Sequence, residues 1–223
     1  FLGTRAGVAT GTIGTRAYFD TFELAQLELE CLVCDPTVSC IVFEDDFERP
    51  DSATVGCGWV TESGSFEIES DALKGNGIIR TGMPTPEPGY FWSHGHFDDS
   101  TPGKKYRVMV DYDPATGHYH YGEVETSASP NSDSMRLFKY DGSHTELASR
   151  HNLNLHTSSP RTVTVVVCFG DGFIDIMAGD QGMEAETTAI GGLYTGIDAS
   201  ASELTCYQFK QHVKQNDNFP DCS

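Results

Sequence analysis

An all-β, antiparallel β-sandwich is the fold class that this 223-residue sequence predicts. Three observations predict it. Short, alternating apolar runs recur at the spacing of sandwich strands through most of the chain. Glycines and Asp-Gly pairs fall between those runs, where hairpins need a positive φ. No stretch of the main body carries a convincing helical stripe.

The first 33 residues stand apart. Residues 1–16, FLGTRAGVATGTIGTR, are small, Thr/Gly-rich and nearly uncharged, whereas residues 17–33, AYFDTFELAQLELECLV, are apolar and acidic. Tyr18, Phe22, Ala25, Leu29 and Leu32 recur at helical spacing, but Leu27, Leu29, Cys31 and Val33 also alternate as a strand. Periodicity leaves both open. In the turn-prone CDPTVSC that follows, Asp35-Pro36 favours extended or turn geometry. The chain therefore divides into an N-terminal extension (1–33), a linker (34–39) and a β-sandwich body (40–223).

Strands are expected in the body at 40–47, 59–62, 65–69, 72–74, 77–81, 90–96, 105–111, 119–126, 134–140, 145–149, 161–169, 173–178, 192–196 and 204–213. Within 161–169, RTVTVVVCF, the residues Val163, Val165, Val167 and Phe169 share one face. Tyr106, Val108 and Val110 do the same in 105–111. Asp141-Gly142, Gly170-Asp171-Gly172 and Gly191-Gly192 supply turns.

Composition narrows the function classes. The net charge is −19 with only 14 Lys and Arg, so nucleic acids and anionic membranes are poor partners. No apolar run approaches the roughly 20 residues of a membrane span. Seven cysteines, at 31, 34, 40, 57, 168, 206 and 222, are disulfide candidates and suit an oxidising compartment. Their odd number leaves one thiol over or one bridge to another chain, and Cys168, in an apolar strand, reads equally well as a buried free thiol. Cys31 and Cys34 form one CxxC without the second pair or His that a zinc knuckle needs. The start at Phe1, without an initiator Met, suits a removed leader or a piece of a longer chain.

Three groupings carry possible chemistry. His94-Gly95-His96 and His118-Tyr119-His120 each put two imidazoles on one strand face, and four would meet if the strands were neighbours, a Zn²⁺ or Cu²⁺ geometry. Glu67/Glu69 and Glu123/Glu125 are same-face carboxylates, read here as solvent-facing positions on edge strands. Tyr90, Phe91 and Trp92, with Tyr112, Tyr119 and Tyr121, could stack on sugars while Asp98, Asp99 and Asn76 hydrogen-bond them, although sandwich aromatics more often belong to the core.

Residues 43–51, FEDDFERPD, followed by Gly58-Trp59, resemble the opening strand of concanavalin A-like, laminin-G-like jelly-roll domains, many of them modules of secreted bacterial and phage proteins. Gly192-Leu193-Tyr194-Thr195-Gly196 and then residues 204–210, LTCYQFK, resemble that family's closing strands, with Gln208 where Asp is expected. A second such ending precedes the domain: Gly7-Val8-Ala9-Thr10-Gly11, then residues 17–24, AYFDTFEL. This orphan strand could insert into a neighbouring molecule, pack on its own body, or be the end of a preceding tandem copy.

The resemblance implies an extracellular or cell-surface setting in a bacterium. It also implies a structural Ca²⁺, for which Asp45, Asp46 and, from the orphan strand, Asp20 are the candidate ligands. Its glycosidase members use Glu-x-Asp-x-x-Glu, which is absent, so no catalytic residue and no enzyme activity are expected. The function expected first is a structural subunit of an extracellular filament. Copies would join head-to-tail through Tyr18, Phe19, Phe22, Leu24, Leu27 and Leu29, with Cys31 or Cys34 locking the junction. The alternative is a carbohydrate-binding, lectin-like module of a larger secreted protein.

Overall fold

The protein is described here from a computed structural model, covering residues 40–85, 91–129, 131–156, 160–170 and 172–213. These residues form strands and no helix. The strands are β1 (Cys40–Asp45), β2 (Trp59–Ile68), β3 (Leu73–Thr81), β4 (Phe91–Asp98), β5 (Lys105–Asp113), β6 (His118–Glu125) and β7 (Asp133–Tyr140). They continue with β8 (His144–Leu153), β9 (Thr162–Gly170), β10 (Phe173–Ala178), β11 (Gln181–Glu186), β12 (Tyr194–Asp198) and β13 (Leu204–Val213). With no helix, none of the described segments is a helical membrane span.

All pairings are antiparallel, and the ladder folds into two layers. The first sheet runs β1-β13-β4-β9-β10-β11 and the second runs β2-β3-β12-β5-β6-β7-β8. They meet at one corner, where Leu204–Cys206 of β13 pair with Gly75, Lys74 and Leu73 of β3 before β13 continues between β4 and β1. Strands β4, β9 and β10 lie over β5, β6 and β7.

Alternation builds the core. Val163, Val165, Val167 and Phe169 all point inward, as the sequence predicts, and meet Val108, Val110, Val124 and Leu137 from the second sheet. Gly122 lies inward too, and a Cβ there would come within 2.6 Å of Val167 Cγ2. Its lack of a side chain lets the two sheets approach.

The opening motif forms a locked corner. The Trp59 indole donates to Asp45 Oδ2 (2.8 Å), while the Arg49 guanidinium (2.6 Å) and the Phe47 amide (2.8 Å) donate to Asp45 Oδ1. Trp59 packs edge-on against Phe43 and Phe209, with ring centroids 5.1 Å away in each case. Phe47, fully buried, takes φ 56°, a conformation that this clamp must hold in place.

Two expectations change. The short strands at 59–62 and 65–69 are one strand, β2, and those at 72–74 and 77–81 are one strand, β3. Gly64, expected to lie between two strands, faces Gly77 mid-ladder, and a Cβ on Gly64 would lie 2.1 Å from Asn76 O. They are glycines of close backbone approach rather than of turns. Strand β11 is the other change. Its sequence, QGMEAE, has little β propensity, and it forms because Gly179-Asp180 makes a two-residue turn that sets Ala178 opposite Gln181.

Candidate functional site

The outer face of the second sheet is not the polar surface that a two-layer sandwich usually shows to water. Met109 and Tyr112 from β5 and Tyr119 and Tyr121 from β6 form a second apolar cluster there, outside the main core. Ile78 (β3), Phe138 and Tyr140 (β7) and Tyr194 (β12), partly buried, pack against it. Strands β5 and β6 carry apolar residues on both faces, so each reads as a buried run rather than as an alternation.

The rings are closely arranged. Tyr119 lies 5.9 Å from Tyr112, 5.6 Å from Tyr121 and 5.1 Å from Tyr140, between centroids. Tyr121 stacks on Phe138 at 4.9 Å, and its hydroxyl is 2.9 Å from His144 Nδ1 on β8. At the other side the Arg80 guanidinium lies 4.2 Å from the centre of the Tyr194 ring. Tyr119 and Tyr121 form the floor of this surface, and Phe138, Tyr140 and Tyr194 form its accessible flanks.

A charged network runs beside the rings. The Arg107 guanidinium donates to Glu123 Oε2 (2.6 Å) and to Asp198 Oδ2 (3.0 Å), and lies 5.0 Å over Tyr121. Tyr119 donates to the same Asp198 oxygen at 3.0 Å. Arg136 reaches Glu123 and Glu125, Lys105 sits 3.7 and 3.8 Å from the same two carboxylates, and Arg80 pairs with Glu62. Burial works against the Arg107 charge, but Asp198 and Glu123 outweigh it and raise its pKa. Burial, with Asp198 alongside, pushes the Tyr119 phenol far above the ordinary tyrosine range, so it stays a neutral donor.

The two ends of the sandwich hold further polar clusters. At one, Asp111 accepts the backbone amides of Ile190 (2.6 Å), Gly191 (3.1 Å) and Gly192 (2.8 Å), fixing the connection that crosses from β11 to β12. His120 bridges Asp111 (3.1 Å) and Thr187 (2.9 Å) and anchors the same connection. Thr187 borders an open groove of about 580 Å³ that Lys139, Leu147, Gly172, Phe173, Glu186 and Thr188 also line. At the other end, Asp99 takes hydrogen bonds from Tyr106, Thr126 and Arg161.

Of the aromatic residues expected to bind sugar, Tyr112, Tyr119 and Tyr121 come together on this face. Trp92 does not: it lies in the first sheet, beside His94 and His212. Asp99 is buried in its own network, and Asn76 is exposed where β3 pairs with β2. Phe138, Tyr140, Tyr194 and the arginines were not singled out from the sequence. Their signal was the period-2 spacing of Phe138 and Tyr140 behind Met135 and Leu137 on a strand apolar on both sides.

Several expectations need correction. His94 and His96 belong to β4 in the first sheet and His118 and His120 to β6 in the second, so the four imidazoles cannot meet. Glu123 is not a solvent-facing residue of an edge strand: β6 lies between β5 and β7, and its carboxylate is 1% exposed and held by arginines. Cys57 and Cys206 carry free thiols, the first exposed in a turn, the second buried with its Sγ 3.2 Å from Gln208 O. Burial raises the Cys206 thiol well above the ordinary range. Cys168 is disulfide-bonded, and to neither of these.

Asp45 already takes three donors, with a guanidinium beside it, and Asp46 Oδ1 accepts the Glu48 amide (3.1 Å). Among the described residues no group of three or more His, Cys, Asp or Glu side chains is arranged to hold a metal ion. Asp20, Tyr18, Phe19, Phe22, Leu24, Leu27, Leu29, Cys31, Cys34, Tyr90 and Cys222 lie outside the described residues, as do the side chains of Cys40 and Phe91.

No family model matches the chain, and no curated protein matches it. Solved structures do. The CBM2 module of the evolved Dit of Lactobacillus casei BL23 phage J-1 superposes with a TM-score of 0.53 at 10% identity, over 81% of this chain and 98% of that one. The carbohydrate-binding module CBM66 from Bacillus subtilis gives 0.51 at 13% identity, over 66% and 91%. The exoplasmic/lumenal domain of VIP36, in its metal-free form, gives 0.50 at 15% identity, over 74% and 88%. At these identities the likeness shows the fold, a β-sandwich of the concanavalin A-like jelly-roll type.

Proposed function

We propose that this chain is a carbohydrate-binding module of an extracellular or surface protein, and that it binds glycan on the outer face of the second sheet. The observation that carries the reading is the group of partly buried rings, Phe138, Tyr140 and Tyr194, set over a tyrosine floor and beside hydrogen-bonding charged groups. Flat apolar rings match the C–H faces of sugars, and guanidinium and carboxylate groups match their hydroxyls. Two of the fold neighbours are carbohydrate-binding modules, which supports it. This was the alternative expected from the sequence, and it now takes precedence over the filament subunit. The segment needed for head-to-tail joining, residues 1–33, lies outside the described residues.

The module is read as non-catalytic. Glu123 is engaged by two arginines and a lysine rather than free to face a glycosidic bond. A structural Ca²⁺ would depend on Asp46 and Asp20 more than on Asp45. Affinity electrophoresis in gels containing single polysaccharides tests the proposal. The protein should be retarded by at least one of them, and Tyr194→Ala or Tyr140→Ala should weaken binding about tenfold or more. Unchanged binding in both variants would move the site elsewhere, and no retardation in any gel would end the reading.

A further inference from the structure

We infer that the glycan bound on this face is neutral and is held along an internal stretch of chain rather than at a single terminal sugar. The inference rests on the proposed glycan site and deepens it. Among the described residues, Arg80, Arg107, Arg136 and Lys105 on this face each have a carboxylate in reach: Arg80 has Glu62, Arg107 has Glu123 and Asp198, and Arg136 and Lys105 share Glu123 and Glu125. None of these four is left over to meet a uronate or sulfate. Glu146, exposed on β8 opposite Phe138, adds one more negative charge at the rim.

Displacing a protein carboxylate to free an arginine would strand that carboxylate. Glu123 and Asp198 are 1% and 0% exposed, so the cost falls on buried charge. The long-range field points the same way. A chain of net charge −19 repels polyanions before contact, so acidic polymers lose in approach as well as in docking. Hydroxyl groups suffer neither penalty, because paired arginines and carboxylates keep spare donors and acceptors for them.

The length follows from the sheet. Tyr194 on β12 and the Phe138/Tyr140 pair on β7 are three strand steps apart across β5 and β6. At the usual spacing that is about 14 Å, wider than one sugar ring. A chain crossing the strands would touch both flanks, whereas a single sugar would touch one.

The test compares neutral polymers (cellulose-type β-glucan, xylan, mannan, levan) with acidic ones (polygalacturonate, alginate, hyaluronan) by affinity electrophoresis and calorimetry at low salt. The best neutral polymer should bind at least about tenfold more tightly than any acidic one, and its free monosaccharide should fail to compete. In Glu125→Gln, which releases part of the hold on Lys105 and Arg136, the acidic-to-neutral affinity ratio should rise. Tighter binding to an acidic polymer, or full competition by the monosaccharide, overturns this inference and leaves the glycan site standing. Binding to no polysaccharide overturns both.

Discussion

Replacing Arg107 with Met tests whether the charged network is part of the fold's stability. The methionine keeps the apolar stem but removes the guanidinium, and with it the bonds of 2.6 Å to Glu123 and 3.0 Å to Asp198. Breaking one side of a buried ion pair costs about 3–5 kcal/mol, because the remaining charge is left uncompensated. The lower end applies here. Glu123 keeps Arg136 and Lys105, and Asp198 keeps Tyr119 and the amide and hydroxyl of Ser200. Set against a typical domain stability of about 5–15 kcal/mol, a loss of about 3 kcal/mol is large. With a urea m value of about 2 kcal/mol/M it lowers the midpoint by about 1.5 M. Urea unfolding followed by tryptophan fluorescence reads it, since Trp59 sits in the core. Adding Asp198→Asn should cost less than the sum of the two single changes, because both act on one network. A single-variant loss below about 1 kcal/mol would refute the argument and class the network with exposed ion pairs.

Gly196→Ala should destabilise by about 1–3 kcal/mol, since its Cβ would lie 2.2 Å from Ile79 O and force β3 and β12 apart; a thermal midpoint equal to that of the parent would contradict the packing. Asp111→Asn keeps one acceptor oxygen of two, so the amides of Ile190, Gly191 and Gly192 should exchange faster with deuterium while those of β9 keep their protection. His94 and His212 are both pushed down to about 4, first by burial, then for His94 by His96 and Lys210 and for His212 by His94 and Lys210. Below the ordinary value of 6.5 the unfolded chain takes up protons that the folded one refuses. This stabilisation is therefore complete above pH 6.5 and is lost as pH falls toward 4, and the parent should lose more thermal stability over that window than a His94→Gln, His212→Gln double variant.

The fold was largely legible because its strands announce themselves locally. Strands β10 and β13 fall at the expected residues, and the Val163–Phe169 face is buried as read. What failed was the reading of glycine. Gly64 has turn-like sequence neighbours, and only its pairing with Gly77 across a ladder shows that it serves close approach. The site was legible in residue type but not in membership. Trp92 and Tyr121 look alike as strand aromatics, and only the order of strands puts them in different sheets. The histidine pairs failed for the same reason. Charges were harder still, because Glu123 alternates with Val124 just as an exposed residue would, and its partners come from β5 and β7.

Strand β13 is the last described strand in the chain, yet it fills a central place between β1 and β4. A ribosome therefore delivers the first sheet without its middle. The β5–β8 meander can assemble from neighbours in sequence, but β1 and β4 must wait for residues 204–213. At ordinary elongation rates that delay is on the order of ten seconds. During it two strand edges stand open to any other chain nearby. Closure of the first sheet thus waits for residues 204–213, and production should depend on whatever keeps the nascent chain apart until they emerge.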